Sequence, residues 1–316
     1  MLTLGQISEN HSRNTNRNSS PFHPMKTKFT LGFFACLLTC LSLSSFFVKK
    51  EWTPLLDKNL SQWETYLSYR HKLGYNGKVP VDAQGKEIAP IGYNQKGQTV
   101  FTFMEEKGEP MLKVSGEVYG CVYTKQDYEN YHLKLKYKWG QNKFEPRKDL
   151  LKDSGVLYHS IGKSGVDYWR AWMLSQEFQI MEGHTGDYWS IANSAIDIRA
   201  FLPEGMMNSV ADAKQPFLSF GRGSGRDGLC LRSENKESKN GEWTEIELIC
   251  FKGKSLHIVN GQVVMVLQNS RYVENDKTIP LTKGKIQIQS EAAEVYYKDI
   301  LIKELDEMPK QYAAYF

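Results

Sequence analysis

The stretch SLHIVNGQVVMVL, residues 255–267, decides the fold class. Two apolar runs flank Asn260-Gly261, a dipeptide that readily takes the positive φ angles of a type I′ turn, so 255–259 and 262–267 are expected to pair as an antiparallel hairpin. Working outward, YHLKLKYKW (131–139) sets His132, Lys134, Lys136 and Lys138 against Leu133, Leu135, Tyr137 and Trp139. That alternation of period two gives one face to solvent and one to a core. Similar short runs recur at 99–105, 111–116, 155–161, 177–181, 197–202, 228–233, 244–251, 284–290 and 294–305, separated by Gly, Asn and Asp turns. Few of them have helical spacing. The chain is therefore read as all-β, built as two packed sheets or a barrel.

Composition sets the outer limits. The 316 residues are 41% hydrophobic and 24% charged, enough for one large core, and the formal charge is only +4. No basic cluster is interleaved with aromatics, so a nucleic-acid partner is not expected. Residues 1–24 form a polar leader that translation from Met25 would leave out. From Met25, Lys26 and Lys28 precede an apolar run ending near residue 48, the layout of a secretory signal. The run is also close to the length of a membrane anchor, and Cys36 after Ala35 offers a lipid-attachment site. The expectation is export, to a periplasmic, cell-surface or secreted location, with any membrane contact confined to that signal or lipid. Cys121, Cys230 and Cys250 have no C-x-x-C spacing, which argues against a zinc cluster, and one disulfide is allowed. A single domain is expected over 52–305, followed by a tail at 306–316. Two long connections stand out: 68–98, read as a loop packing over the sandwich near a site, and 203–227, a loop running into the glycine-rich GRGSGRDG.

The chemistry concentrates in SQEFQIMEGHTGDYW (175–189). Glu177 and Gln179 lie two apart and share a strand face, about 6–7 Å from each other. Glu182 falls on the opposite face about 16 Å from Glu177, so the two carboxylates are partners only if the strand breaks near Gly183. A second polar strand carries Gln287, Gln289 and Glu291 on one face. A sheet face bearing amides, carboxylates and rings suits a sugar, whose hydroxyls take paired hydrogen bonds and whose C–H face packs on Trp or Tyr. Trp169, Trp172, Tyr188, Trp189, Tyr296 and Tyr297 are the ring candidates, although each taken singly also reads as core. His159 and His184 are the nearest histidines. A divalent cation is admitted by Glu182, His184, Asp187 and Glu291, but no spacing identifies one.

The ordered blocks WTPLLDKNLSQW, GCVYTKQDYENYHLKLKYKW, DSGVLYH, QEFQIMEGHTGDYW, NGEWTEIELICFKGKSLHIVNG and GKIQIQSEAAEVYYKDILIKEL resemble the family long called DUF1080, the 3-keto-disaccharide hydrolase or 3-keto-glucoside lyase/hydratase domain. The resemblance spans about 52–305. It implies a two-sheet jelly-roll sandwich of the concanavalin A-like lectin/glucanase type, with a carbohydrate site on the concave sheet. Its Glu-x-Gln strand corresponds to Glu177 and Gln179, with Glu182 as the terminal acid. The chain departs from the pattern at Asp153 (usually Asn), at His159 (usually Arg) and at Glu182 (commonly Asp), and Lys298 represents a late Arg.

A 3-keto group acidifies the neighbouring C2–H, so a glycosidic bond can break by elimination given a base near C2, an acid near the leaving oxygen and donors at the enolate. The sequence reading makes Glu177 the base, His159 or Glu182 the acid, and Gln179 and Lys298 the enolate contacts, with Gln289, Glu291, Trp189, Tyr158 and His184 completing a substrate-binding set. Two other readings stay open: a lectin-like binding module on the same face, and a conventional two-carboxylate glycosidase using Glu177 with Glu291.

Overall fold

The computed structural model describes residues 50–316; the leader, the signal and its cysteines lie outside the described residues. Two antiparallel sheets account for nearly all the regular structure. The smaller has eight strands, running from edge to edge as Leu229–Cys230, Tyr188–Ile191, Leu174–Met181, Asp153–Ile161, Lys285–Ser290, Gly120–Thr124, Trp63–Leu67 and Gly92–Tyr93. The larger has twelve, with Gln262–Glu274, Lys254–Val259, Thr244–Phe251, Tyr131–Lys143 and Ala293–Glu304 as consecutive neighbours at its centre. Hairpin neighbours alternate with strands from distant parts of the chain, Tyr131–Lys143 beside Ala293–Glu304 and Asp153–Ile161 beside Lys285–Ser290, as in a jelly roll.

The hairpin at Asn260-Gly261 forms as its chemistry dictates. Both residues have positive φ, 45° and 76°, and Val259 pairs with Gln262 across the turn. The side chains between the sheets are the alternate, apolar members of each strand. Val156, Tyr158, Phe178, Ile180, Ile286 and Ile288 from the smaller sheet meet Leu133, Leu135, Tyr137, Ile246, Leu248 and Tyr297 from the larger. Each fully buried aliphatic or aromatic side chain contributes about 1.5–3 kcal/mol of transfer free energy. Because side chains alternate, burying this set forces Asp153, Gly155, Glu177, Gln179 and Gln289 onto the opposite, outer face.

The three cysteines in the described residues are buried, free thiols. The 306–316 segment includes a 3-10 turn at Lys310–Tyr315; Met308, Tyr312, Tyr315 and Phe316 pack against Ile249, Leu256, Ile258 and Val266 of the larger sheet.

Candidate active site

Strand register arranges the outer face of the smaller sheet as a grid. In one row Trp189 lies opposite Glu177, Glu177 opposite Leu157, and Leu157 opposite Gln287. Two residues along, Gln179 lies opposite Gly155, with Gln289 on the far side. In the third row Met181 lies opposite Asp153 and Asp153 opposite Glu291. The rows are about 6–7 Å apart and the strands just under about 5 Å.

Gly155 is the floor of this grid and is needed for space. A Cβ there would sit 2.5 Å from Glu177 Oε1 and 2.6 Å from the Gln289 side-chain oxygen. Both side chains therefore lean over the glycine, which brings Glu177 toward Asp153. Gly155→Ala pushes only the ends of two side chains, so the fold is expected to survive. Displacement of the reacting groups by about 1 Å lowers turnover roughly a hundredfold, measurable as kcat/KM beside an unchanged melting transition.

One cation serves the grid. Arg147 reaches in from the 144–152 turn, which is held by Phe144 N–H donating to Ala292 O (2.8 Å) and Arg147 N–H donating to Phe144 O (3.0 Å). Its guanidinium lies 2.7 Å from Asp153 Oδ2 and 4.0 Å from Glu291 Oε1. Three buried carboxyl groups, Asp153, Glu177 and Glu291, thus share one positive charge. Burial pushes the Asp153 pKa up to about 7 despite the opposing Arg147 charge. Burial, then the Asp153 charge, raises Glu177 well above the ordinary carboxylate range, and the same two causes raise Glu291. Burial thus drives Glu177 and Glu291 toward their protonated forms beside an Asp153 poised to titrate near neutrality.

The sign of the pH dependence follows. Asp153 is protonated more easily in the folded chain (about 7) than at its ordinary 3.8, so its contribution is full below about pH 4 and is lost as pH rises through about 7. Asp153→Asn removes that titration. Its melting temperature is expected to fall less than wild type between pH 5 and 8, a difference approaching about 1 kcal/mol per pH unit. Equal slopes in thermal melts would count against the coupling.

A cavity of about 540 Å³ opens over the grid, lined by Arg147, Asp153, Glu177, Gln179, Met181 and Glu291 of the grid and its turn, by Trp189, Ser190, Ile191 and Ala192 from the neighbouring strand and its turn, and by Asp167, Tyr168, Trp169 and Trp172. The aromatic wall is built by one turn: Asp167 accepts hydrogen bonds from the backbone N–H of Trp169 (2.7 Å), Ala171 (2.8 Å) and Trp172 (2.7 Å). The 68–98 connection backs this wall. Tyr75 stacks on Trp169 at 5.0 Å, and His71 Nε2 donates to Trp169 O at 2.8 Å.

Polar atoms without partners concentrate here. Of twelve buried side-chain nitrogen and oxygen atoms lacking a hydrogen bond among the described residues, five belong to this grid: Arg147 Nε, Asp153 Oδ1, Gln179 Oε1 and both amide atoms of Gln289. Each such atom costs about 1–3 kcal/mol when buried unpaired, so their clustering marks a place built to receive hydroxyl and carbonyl groups.

Among the residues singled out from sequence, Glu177, Gln179, Glu291, Trp169, Trp172 and Trp189 line the cavity, and Gln289 lies beside Glu177 on the same face. The others are corrected. His159 sits at a bulge with φ 52°, where its ring packs on Tyr131 and Tyr158 and burial pushes its pKa down to about 4. The bulge turns it away from the outer face. Tyr158 points between the sheets, bonded to Ser255 Oγ at 3.2 Å. Glu182 follows the end of the 174–181 strand, and Asn240 donates to it at 2.9 Å outside the cavity. The break makes it no partner of Glu177. His184 joins Asp187 (3.2 Å) in the same turn. Lys298 belongs to the other sheet, paired with Glu109 and 4.7 Å over Trp243. Tyr188, Tyr296 and Tyr297 are likewise outside the cavity lining. Glu182, His184, Asp187 and Glu291 do not converge, and no group of three or more His, Cys, Asp or Glu among the described residues is arranged to hold a metal ion.

Sequence reasoning missed Arg147 and Asp167, both in aperiodic turns. It noted Asp153 only as a departure from pattern; the signal available was its position two residues before Gly155 and four before the apolar Leu157 on the same strand face.

The model of the 3-keto-alpha-glucoside-1,2-lyase-like domain matches residues 51–303. No curated protein matches the chain. Among solved structures, a "putative glycosyl hydrolase" from Parabacteroides distasonis is similar at 19% identity and TM-score 0.41, covering 81% of this chain and 100% of that one. A second from the same organism gives 17% and 0.43, covering 81% and 94%. The beta-glucanase of Bacillus licheniformis gives 10% and 0.35, covering 81% and 98%.

Proposed function

Because the chain belongs to the 3-keto-alpha-glucoside-1,2-lyase-like family, we propose that its carbohydrate activity is elimination on 3-keto-glycosides within the cavity of Glu177, Asp153 and Arg147. The observation that carries the reading is the carboxyl cluster sharing one arginine, because it supplies a proton donor and a proton acceptor at the same pH. Asp153, with its pKa near 7, is the better-matched base for the C2 proton. Glu177, kept protonated by burial, donates to the departing glycosidic oxygen. This exchanges the base role that the sequence reading gave to Glu177.

The steps balance. Asp153 takes the C2 proton, and the C2–H electrons become the enolate of the C3 ketone, facing Arg147. The enolate then re-forms the ketone as the C1–O bond breaks, leaving a C1=C2 double bond, while the Glu177 proton goes to the leaving oxygen. The products are a 2-hydroxy-3-keto-glucal and the free alcohol; addition of water across the double bond yields the 3-keto sugar. Gln179 and Gln289 take ring hydroxyls, and Trp189, opposite Glu177, offers a ring face to the pyranose. The layout of residues 25–48 supports work outside the cytoplasm.

Incubation of the purified chain with a 3-keto-glucoside and with the unoxidised parent tests this. Mass spectrometry should show the unsaturated keto sugar and free alcohol from the first only. Cleavage of both at equal rates would favour the two-carboxylate glycosidase instead, and binding without product would favour a lectin-like module.

A further inference from the structure

The cavity is chemically divided, and the aromatic wall raised by the 167–172 turn has no use in the steps above. One end carries every ionisable group that serves a sugar ring. The other is walled by Tyr168, Trp169, Trp172, Ile191 and Ala192, and much of its polarity is spent internally. The Asp167 carboxylate is occupied by three backbone N–H groups. Trp172 Nε1 donates to Gly120 O at 3.1 Å, and the Tyr168 hydroxyl donates to Tyr75 O at 3.4 Å.

A second sugar in that half would bring three or four hydroxyls to a wall with few partners for them, and each buried hydroxyl left unpaired weakens binding. A flat apolar group meets no such cost and stacks on the rings. At about 540 Å³ the cavity has room beyond one pyranose. We infer that the leaving group accommodated here is an aromatic aglycone, making the preferred substrates 3-keto-glycosides of phenols or similar planar alcohols over 3-keto-disaccharides. This rests on the elimination reading for the role of the sugar end, but the aromatic end is recognised by binding alone.

The test separates the two. In Glu177→Gln, which keeps the shape of the site and slows turnover, dissociation constants are measured by tryptophan fluorescence immediately after mixing for both anomers of phenyl 3-keto-glucoside and for 3-keto-maltose and 3-keto-cellobiose oxidised on the non-reducing ring. The better phenyl anomer is expected to bind roughly tenfold or more tightly than either disaccharide. Tyr168, more than half exposed at the rim, gives a second handle: Tyr168→Ala should weaken the phenyl ligand and spare the disaccharides, with Tyr168→Phe restoring the difference. The inference is overturned if a disaccharide binds as tightly as the phenyl glycoside, if neither class binds, or if Tyr168→Ala weakens both alike. Product formation by the wild type is scored separately, so a phenyl preference without product would overturn elimination while leaving the aglycone site standing.

Discussion

Glu177→Gln lowers kcat on a 3-keto-glycoside with a poor leaving group by about 10²–10⁴-fold, the range that loss of a positioned general acid produces. The fold should be unaffected, since the amide fills the same volume over Gly155 and needs no charge there: burial already favours the uncharged carboxyl. If Glu177 acts as the donor, the loss shrinks for a nitrophenolate, which departs without a proton. Asp153→Asn loses activity on both leaving groups, because abstraction from C2 precedes departure. Steady-state kinetics with an alkyl and a nitrophenyl 3-keto-glucoside read this directly. An equal loss on both substrates in Glu177→Gln would return the base role to Glu177.

Arg147→Met has the second largest effect, and it acts on both activity and stability. The guanidinium is 2.7 Å from Asp153 and 4.0 Å from Glu291, and it opposes the upward push of burial on both. Without it the cluster cannot hold a buried carboxylate and answers by taking up a proton. The ionisation of Asp153 then moves above about 7, so the rising limb of the pH–rate profile shifts to alkaline pH. At pH 7 turnover falls by about 10³-fold as both the ionised base and the enolate contact are lost. Stability falls by only about 1–3 kcal/mol, because protonation relieves most of the isolated charge. A variant with wild-type pH dependence would remove Arg147 from the site.

The legible part of the molecule was whatever a period of two can encode. The hairpin at Asn260-Gly261, the Tyr131–Lys143 strand and the polar faces of Glu177, Gln179, Gln289 and Glu291 follow from alternation and turn chemistry, and the all-β class follows from them, while the choice of two sheets over a barrel came from the family resemblance. Alternation fails where the backbone departs from a regular strand. His159 took its role from the position where the family pattern has an Arg, but the strand bulges at that residue. Lys298 was assigned to a site on the other sheet, because a sequence does not state which strands become neighbours. Arg147 and Asp167 sit in turns without periodicity, and their importance comes from what they reach across space: two carboxylates in one case, three backbone amides in the other. Among six aromatic candidates only Trp169, Trp172 and Trp189 face the cavity, a distinction set by strand register and by one Asp-capped turn.

The central claim is that bond cleavage passes through loss of the C2 hydrogen, and one measurement bears on it most directly. A 3-keto-glucoside carrying deuterium at C2 is turned over in ordinary water and the sugar product is examined by mass spectrometry. Elimination at the Asp153–Glu177–Arg147 site predicts complete loss of the deuterium from the keto sugar and slower turnover than the unlabelled substrate. Retention of the C2 deuterium in freshly formed product, with no isotope effect on the rate, would contradict it and show that the glycosidic bond breaks by direct displacement.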